Sequence, residues 1–408
     1  MRSISNKLHL FNQRAIYLLN GLWAIPALVL IFLISPFIKI HIFEINSRRI
    51  GHFVSDSLHF FLHSKSASNQ VFLFWYVKPS ANKFWEKYLS RNLKIFQPLR
   101  YVTFYQEKIF GKSDYEDKIL TNTRDINGDI ALSKNIPGFN DDEDYFAHNW
   151  LKNNGWKPGQ EIVCLLVRDS QYLDSLKDNF INRDTSYHDY RDSDINSYRK
   201  CIEYLLSQNF FVIRMGKIMK NPVNLKHEAF LDYPFLETKD DLMDIWLFAN
   251  CDLCISTLSG ADEICAAFKT KCLFINHLPI AALPSYVDGC NAPKVLRWSH
   301  SKKNLSLNES IENSYVHAHK YKENNIEIID LNELEIEKIV KEMILNIKQS
   351  YNPSLGKKNL QFKEMFFSST ACMKDKNHNF KSLHGYVHPN FHMSEVWLEK
   401  MGEEFYLK

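Results

Sequence analysis

The rhythm of apolar and polar positions changes several times along the chain. Residues 15–38 are almost wholly apolar, broken only by Asn20, Gly21, Ser35, Pro26 and Pro36. Such a run is long enough to cross a bilayer, which takes about 20 residues. Past it the pattern shortens. Residues 40–45 read as a strand, 53–61 carry helical apolar spacing, 71–77 form a buried strand, 79–89 a helix and 93–96 a third short strand. Strands alternating with helices predict a parallel sheet. A helix over residues 141–154 follows, its start marked by Asp141, Asp142, Glu143 and Asp144, since carboxylates favour a helix N-terminus. Gly155-Trp156-Lys157-Pro158-Gly159 then interrupts the pattern and is the best domain boundary.

Beyond that boundary the alternation resumes. Residues 162–167, 210–213, 253–256 and 271–276 are strands; 195–206 and 333–347 are helices. The predicted organisation is a membrane segment over 1–39, an α/β domain over 40–155, a second α/β domain over 156–348, and a tail over 349–408 that packs back on the domains.

A formal charge of +3 gives no electrostatic case for nucleic acid, and 14% aromatic residues predict packed cores. The eight cysteines fall mostly in apolar strand or helix patterns, as small buried residues in a reducing compartment do. Cys251-x-x-Cys254 has no second pair at ligand spacing and runs straight into a strand, which favours a structural role. At the N-terminus, cations stand on both sides of the apolar run: Arg2, Lys7 and Arg14 before it, Lys39, Arg48 and Arg49 after it. Orientation is therefore open. No small-x-small site marks a cleaved signal. Pro26 and Pro36 permit a kinked, re-entrant anchor, and a buried helix is the competing reading.

Candidate chemistry gathers where strands end, the binding edge of open α/β sheets. Ser256-Thr257-Leu258-Ser259-Gly260 follows a strand and opens a helix, so its backbone N–H groups suit a phosphate, and Gly260 allows close approach. Glu263, one turn on, is placed to accept from ribose hydroxyls. The alternative is an ordinary turn with Ser259 as helix cap. Arg168 and Arg214 each end an apolar strand, the latter followed by Gly216 and Lys217. Two such guanidinium forks suit a diphosphate; structural ion pairs, for example to Asp169, would also account for them. Asp192-Ser193-Asp194 matches a D-x-D metal pattern, but it lies before a helix, where Asp194 reads as a cap. His384, His388 and His392 are spaced by four, with Pro389 between them. His52 follows the first strand beside Gly51, a place for a general base, a phosphate ligand or a helix cap, with Arg49 next to it as a further acceptor contact.

Residues 164–173 (CLLVRDSQYL), the segment Tyr190-Arg191-Asp192-Ser193-Asp194-Ile195 with Tyr198, and Val212-Ile213-Arg214-Met215-Gly216 resemble a group of bacterial glycosyltransferases met in surface-polysaccharide gene clusters. Arg49-Ile50-Gly51-His52 and Ser256-Thr257-Leu258-Ser259-Gly260 are similar to its pattern as well. The resemblance covers residues 160–276 best and 45–62 next. It implies a GT-B-like fold, two Rossmann-like domains facing a cleft, and transfer of a sugar from a nucleotide sugar to a glycan or lipid-linked acceptor. The Arg-ending strand is more distantly similar to the His-x-Arg element of fucosyltransferases, with Leu166 here in place of the histidine. By that likeness Arg168 serves the departing diphosphate. No divalent metal or other cofactor is implied, and activated sugars place the catalytic domains on the cytoplasmic side of the inner membrane. A pyruvyl- or other group transferase on the same scaffold, and a non-catalytic scaffold of a polysaccharide assembly complex, are the alternatives.

Overall fold

The structure is a computed structural model that describes the chain except residues 1, 67–68, 112–118, 120–123, 173, 175–185, 373–382 and 408, and the side chains of 2–14, 66, 186–188 and 370–372. The expected Leu173 and the side chain of Cys372 thus lie outside the described residues. The chain divides into two compact units, Met1–Thr123 and Arg124–Lys408. The division precedes the expected boundary at 155 because residues 124–155 pack with the second unit. Trp150 donates to the Thr238 carbonyl and Trp246 to Asp144, which ties this stretch to residues beyond the glycines.

The first unit opens with α1 (Arg2–Ile34), a single helix that contains Pro26 and ends before Pro36. Next come β1 (Lys39–Ile45), α2 (Ile50–Ser66), β2 (Gln70–Tyr76), α3 (Lys83–Ser90) and α4 (Leu99–Phe110). The two strands pair in parallel over their whole length, Lys39 with Gln70 through Ile45 with Tyr76. The expected third strand reduces to one parallel bridge between Phe74 and Ile95. Phe43, Phe60, Phe72 and Phe74 stack between the strands and α2.

The second unit holds α5 (Asp129–Leu132), α6 (Asp141–Asn153), β3 (Ile162–Leu166), α7 (Arg199–Ser207), β4 (Phe211–Arg214) and β5 (Phe230–Asp232). It continues through α8 (Asp241–Asn250), β6 (Leu253–Ser256), α9 (Glu263–Phe268), β7 (Cys272–Ile275), β8 (Gly289–Ala292), β9 (Val295–Trp298), α10 (Leu307–Glu312), α11 (Ala318–Glu323) and β10 (Ile326–Ile329). It closes with α12 (Glu333–Lys348), α13 (Lys357–Cys372), β11 (His392–Met393) and α14 (Glu395–Met401). Asn140, rather than an acid, caps α6, and Asp141 to Asp144 fill its first turn as expected.

Seven strands form one sheet in the order β11-β8-β7-β6-β3-β4-β5, every pair parallel. The chain enters at β3, runs outward through β4 and β5, then returns to the other side of β3 with β6. That is the doubly wound order, and its reversal point lies between β3 and β6, where such sheets bind ligands. The tail, expected to pack back on the domains, extends this sheet of the second unit. β11 pairs beside β8, and Phe362, Phe366, Phe391, Trp397 and Phe405 join the main core. An otherwise open edge of β8 is covered in this way.

Candidate functional site

At the reversal point the loops after β3 and β6 are stitched together. Thr257 donates its N–H to the Leu166 carbonyl at 3.1 Å, and its hydroxyl accepts from the Arg168 N–H at 2.9 Å. Leu258 has a φ of +59°, a left-handed conformation that a bulky residue adopts at a cost and that often marks a functional turn. Two side chains hold it there. Ser256 Oγ accepts from the Leu258 N–H, and the Arg191 guanidinium donates to its carbonyl at 2.6 Å.

Three cations converge at this edge. The Arg168 side chain is 11% exposed and faces Asp192 at 3.4 Å, rather than the adjacent Asp169. Burial lowers its pKa, and the neighbouring charge of Arg191 is the next cause. Lys294, at the end of β8, is buried, donates to the Asp192 carbonyl at 2.7 Å and pairs with Asp330 at 2.8 Å. Burial lowers its pKa as well. Asp192, the carboxylate among them, is pushed up to about 6 by burial, with Arg168 opposing. Asp194 caps the short turn at residues 195–198 by accepting from Asn196, as its position in the sequence predicts.

Next to them stands His277, after β7, fully buried and without a hydrogen-bond partner at either ring nitrogen. Burial, and then Arg191 and Lys294, push its pKa down to about 3, so the imidazole is neutral. Arg191 Nε is also buried and unpartnered. Unsatisfied buried polar groups are costly and call for an explanation. In the sequence Arg191 stands out only as part of the 190–195 segment, and Lys294 and His277 carry no local signal. Lys294 follows a strand, β8, that contains Gly289 and Asn291 and shows no apolar run.

The other expected donor residues are placed differently. Arg214 is 1% exposed and turned to the β5 side of the sheet. It donates to the Asn221 carbonyl at 2.7 Å, pairs with Asp232 at 3.3 Å and lies over the Phe235 ring. Arg168 and Arg214 thus pair with different aspartates, Asp192 and Asp232, and the expected clamp splits. Lys217 pairs with Asp241 at 2.6 Å and Asp244 at 2.9 Å. Gly216 has a φ of +150°, and a Cβ there would meet the Met219 side chain at 2.2 Å, so its requirement is local packing.

The Ser259-Gly260 turn leads into a helix of six residues, too short for a strong dipole. Asp262 closes the turn as a capping box, accepting from the Ser259 N–H at 2.7 Å and from Ser256 Oγ at 2.6 Å. The alternative reading, a capped turn, describes it. Glu263 accepts from the Tyr286 hydroxyl at 2.8 Å, and burial pushes its carboxyl up to about 8, so it faces the protein and not a ribose.

Cys254, Cys265 and Cys272 bring their sulfurs within 4.8 Å of one another on the opposite side of these strands, fully buried. Cys265 and Cys272 donate to the Phe248 and Thr270 carbonyls, and burial raises the Cys265 thiol, which is the state of neutral core thiols. His384 binds Ser285 and the Ala281 carbonyl, and His392 the Asn390 carbonyl. The three histidines of the tail are not gathered around one point among the described residues.

In the first unit, His52 lies in the first turn of α2 rather than in the preceding loop. Its Nδ1 meets Asp56 at 3.3 Å, one turn on, and the histidine side chain is 38% exposed against 7% for the aspartate. Arg49, exposed, precedes the helix, and its carbonyl accepts from the Phe53 N–H. Asp56 was not singled out in the sequence, although its i+4 spacing from His52 on a helix was visible there.

No protein-family model and no curated protein matches the sequence. Among solved structures the chain is similar to ADP-heptose LPS heptosyltransferase II of E. coli, at 12% identity and a TM-score of 0.35, over 61% of this chain and 89% of that one. It is also similar to a family 9 glycosyltransferase of Veillonella parvula, at 8% identity and a TM-score of 0.36, over 62% and 86%. A heptosyltransferase of E. coli with ADP matches at 9% identity and a TM-score of 0.29, over 62% and 91%. Overlap of this depth assigns no ligand and no residue role to the present chain.

Proposed function

We propose that the chain is a glycosyltransferase that moves a sugar from a nucleotide-sugar donor to a glycan or lipid-linked acceptor. The observation that carries this reading is the set of cations at the β3–β6 reversal point: Arg168, Arg191 and Lys294 beside His277 with both nitrogens unpaired. Asp192, Asp330, Asp189 and Asp262 stand beside these cations, and His277 with Arg191 Nε are the buried groups that a diphosphate would meet. In the transfer step the bond from the sugar to the diphosphate breaks, and preorganised cations stabilise the developing charge on the leaving group. Arg168 and Arg191 offer guanidinium forks for it. Thr257 and the strained Leu258 turn set the backbone beside them. Ser256, Ser259 and Gly260 support that turn.

With cations already present, no divalent metal is required in this reading, and activity should survive EDTA. His52, oriented through Nδ1 by Asp56, is the proposed base that takes the acceptor hydroxyl proton, with Arg49 as an acceptor contact. Bacterial surface polysaccharide, made at the cytoplasmic face of the inner membrane, is the proposed setting.

The test is calorimetry of the full chain with nucleoside diphosphates and the matching nucleosides, followed by mass analysis of products from a panel of nucleotide sugars. The reading expects micromolar or tighter binding that depends on the phosphates. Equal binding of nucleoside and nucleoside diphosphate, or none of either, would remove it and leave the scaffold alternative. Diphosphate binding with transfer of a group other than a sugar would favour the group-transferase alternative.

A further inference from the structure

The apolar N-terminal helix has two unlike faces, and the difference decides how it can meet a membrane. One face belongs to the first unit's own fold. Ala24 and Leu28 are buried against Tyr101 and Val102 of α4, with Tyr17, Ala27 and Ile31 packed around them. Gly21 lies so close to the Tyr105 ring that a Cβ would meet its hydroxyl at 2.5 Å, and that hydroxyl donates to the Tyr17 carbonyl. The two helices run antiparallel, and the contact extends from Tyr17 to Ile31, nearly the whole apolar stretch. On its other side α4 is fixed to the sheet, where Trp75 of β2 donates to Thr103 at 3.0 Å.

The other face is bare. Leu18, Leu22, Val29, Leu30, Phe32 and Leu33 are between 53% and 79% exposed. Positions 18, 22, 25, 29 and 33 follow the spacing of one helical stripe. If the segment crossed a bilayer, α4 would travel with it, and Arg100, Glu107 and Lys108 would enter hydrocarbon beside two sheet strands. Charged groups at that depth are strongly disfavoured. A helix lying in the plane of the interface needs no such transfer, because its packed face remains on the protein.

We infer that α1 is a monotopic, in-plane anchor whose bare face enters one leaflet of an anionic membrane and does not span it. Charge favours lipid over a second copy of the chain. The first 43 residues contain four Lys or Arg (Arg2, Lys7, Arg14, Lys39) and no Asp or Glu. Two copies of so basic a segment repel each other, whereas anionic headgroups attract it. Exposed Phe37, Ile109 and Phe110, with exposed Lys39 and Lys108, extend the same mixed apolar and basic surface.

The experiment uses the full chain with phosphatidylcholine vesicles, with and without phosphatidylglycerol. Sedimentation should show stronger binding to the anionic vesicles, weakened by salt. Leu22→Glu with Leu30→Glu should reduce partition by at least about a hundred-fold, from two lost apolar insertions. Leu22→Met with Leu30→Met should bind like the parent. Near-identical circular dichroism of both variants guards against misfolding. Depth is read with an environment-sensitive label placed singly at positions 18, 25 and 33. All three should lie at one shallow depth. A label at 25 near the bilayer centre, with 18 and 33 at opposite interfaces, would show a span and overturn the inference. So would absence of vesicle binding together with a dimer that the Glu variant dissolves.

Discussion

Arg168 and Arg214 end neighbouring strands of one parallel sheet, follow apolar runs of similar length and carry the same charge, yet they live in opposite circumstances. Arg168, on the β6 side of β3, joins Arg191 and Lys294 beside a histidine with nothing to bind. Arg214, on the β5 side, is enclosed by Asp232, the Asn221 carbonyl and the Phe235 ring. A strand-ending arginine is therefore not a ligand site by itself. What separates the two is position in the sheet: Arg168 stands at the reversal of strand order, where adjacent loops diverge and open sheets bind ligands, and Arg214 does not.

The largest effect that would break this comparison comes from Arg214→Ala. It leaves Asp232 and the folded 219–223 segment without their cation, and losing one member of a buried pair costs about 3–5 kcal/mol. Urea unfolding should register that loss, while nucleoside diphosphate affinity of the folded fraction stays unchanged. A stable variant with lost affinity would return Arg214 to the donor site.

Arg168→Ala and Arg191→Ala should act the other way. A hydrogen bond to a charged group contributes about 1.5–3 kcal/mol, so each should weaken nucleoside diphosphate binding by about one to two orders of magnitude. Nucleoside binding should barely move in calorimetry. Lysine at either position should restore only part, since an ammonium lacks the fork.

The β6 side also carries a pH signature. Burial raises the Glu263 carboxyl to about 8, against an ordinary value near 4.3 in the unfolded chain. Between those values the folded state holds a proton that the unfolded state releases. Its contribution is therefore complete below about pH 4 and is lost as pH rises through about 8. Glu263→Gln should flatten the decline in stability between pH 5 and pH 8.5 by at least about 1.4 kcal/mol, the equivalent of one pKa unit. Identical slopes in parent and variant would mean that burial does not hold Glu263 neutral.

The smallest effect belongs to Lys217→Ala. Its pairs with Asp241 and Asp244 are partly exposed, and such pairs contribute about 0–1 kcal/mol. Thermal denaturation should shift slightly and nucleotide affinity not at all; a tenfold loss of affinity would extend the site to the β4 side.

Much of this was legible in the chain. The apolar runs located β3, β4, β6 and β7, since a strand buried on both faces is written as continuous hydrophobic sequence, and the half-buried β1 and β2 were legible from their apolar and aromatic residues. The caps at Asp194 and Ser259 were readable too, because a cap depends on residues within three positions. β8 and β11 were not, for Gly289-Cys290-Asn291-Ala292 and His392-Met393 are strands by pairing and not by composition. Long-range partners were equally out of reach. Nothing local to Glu263 announces Tyr286, and nothing local to Arg214 announces Asp232.

The sequence by itself determined the α/β class, the apolar N-terminal helix and the arginines at strand ends, because periodicity, apolar length and residue chemistry act over short stretches of chain. Tertiary structure alone decided which arginine stands at the reversal point, that Lys294 and His277 join it, and that one face of the apolar helix is already occupied by α4. Strand order and helix packing bring together residues a hundred positions apart, and no local pattern encodes which of them will meet.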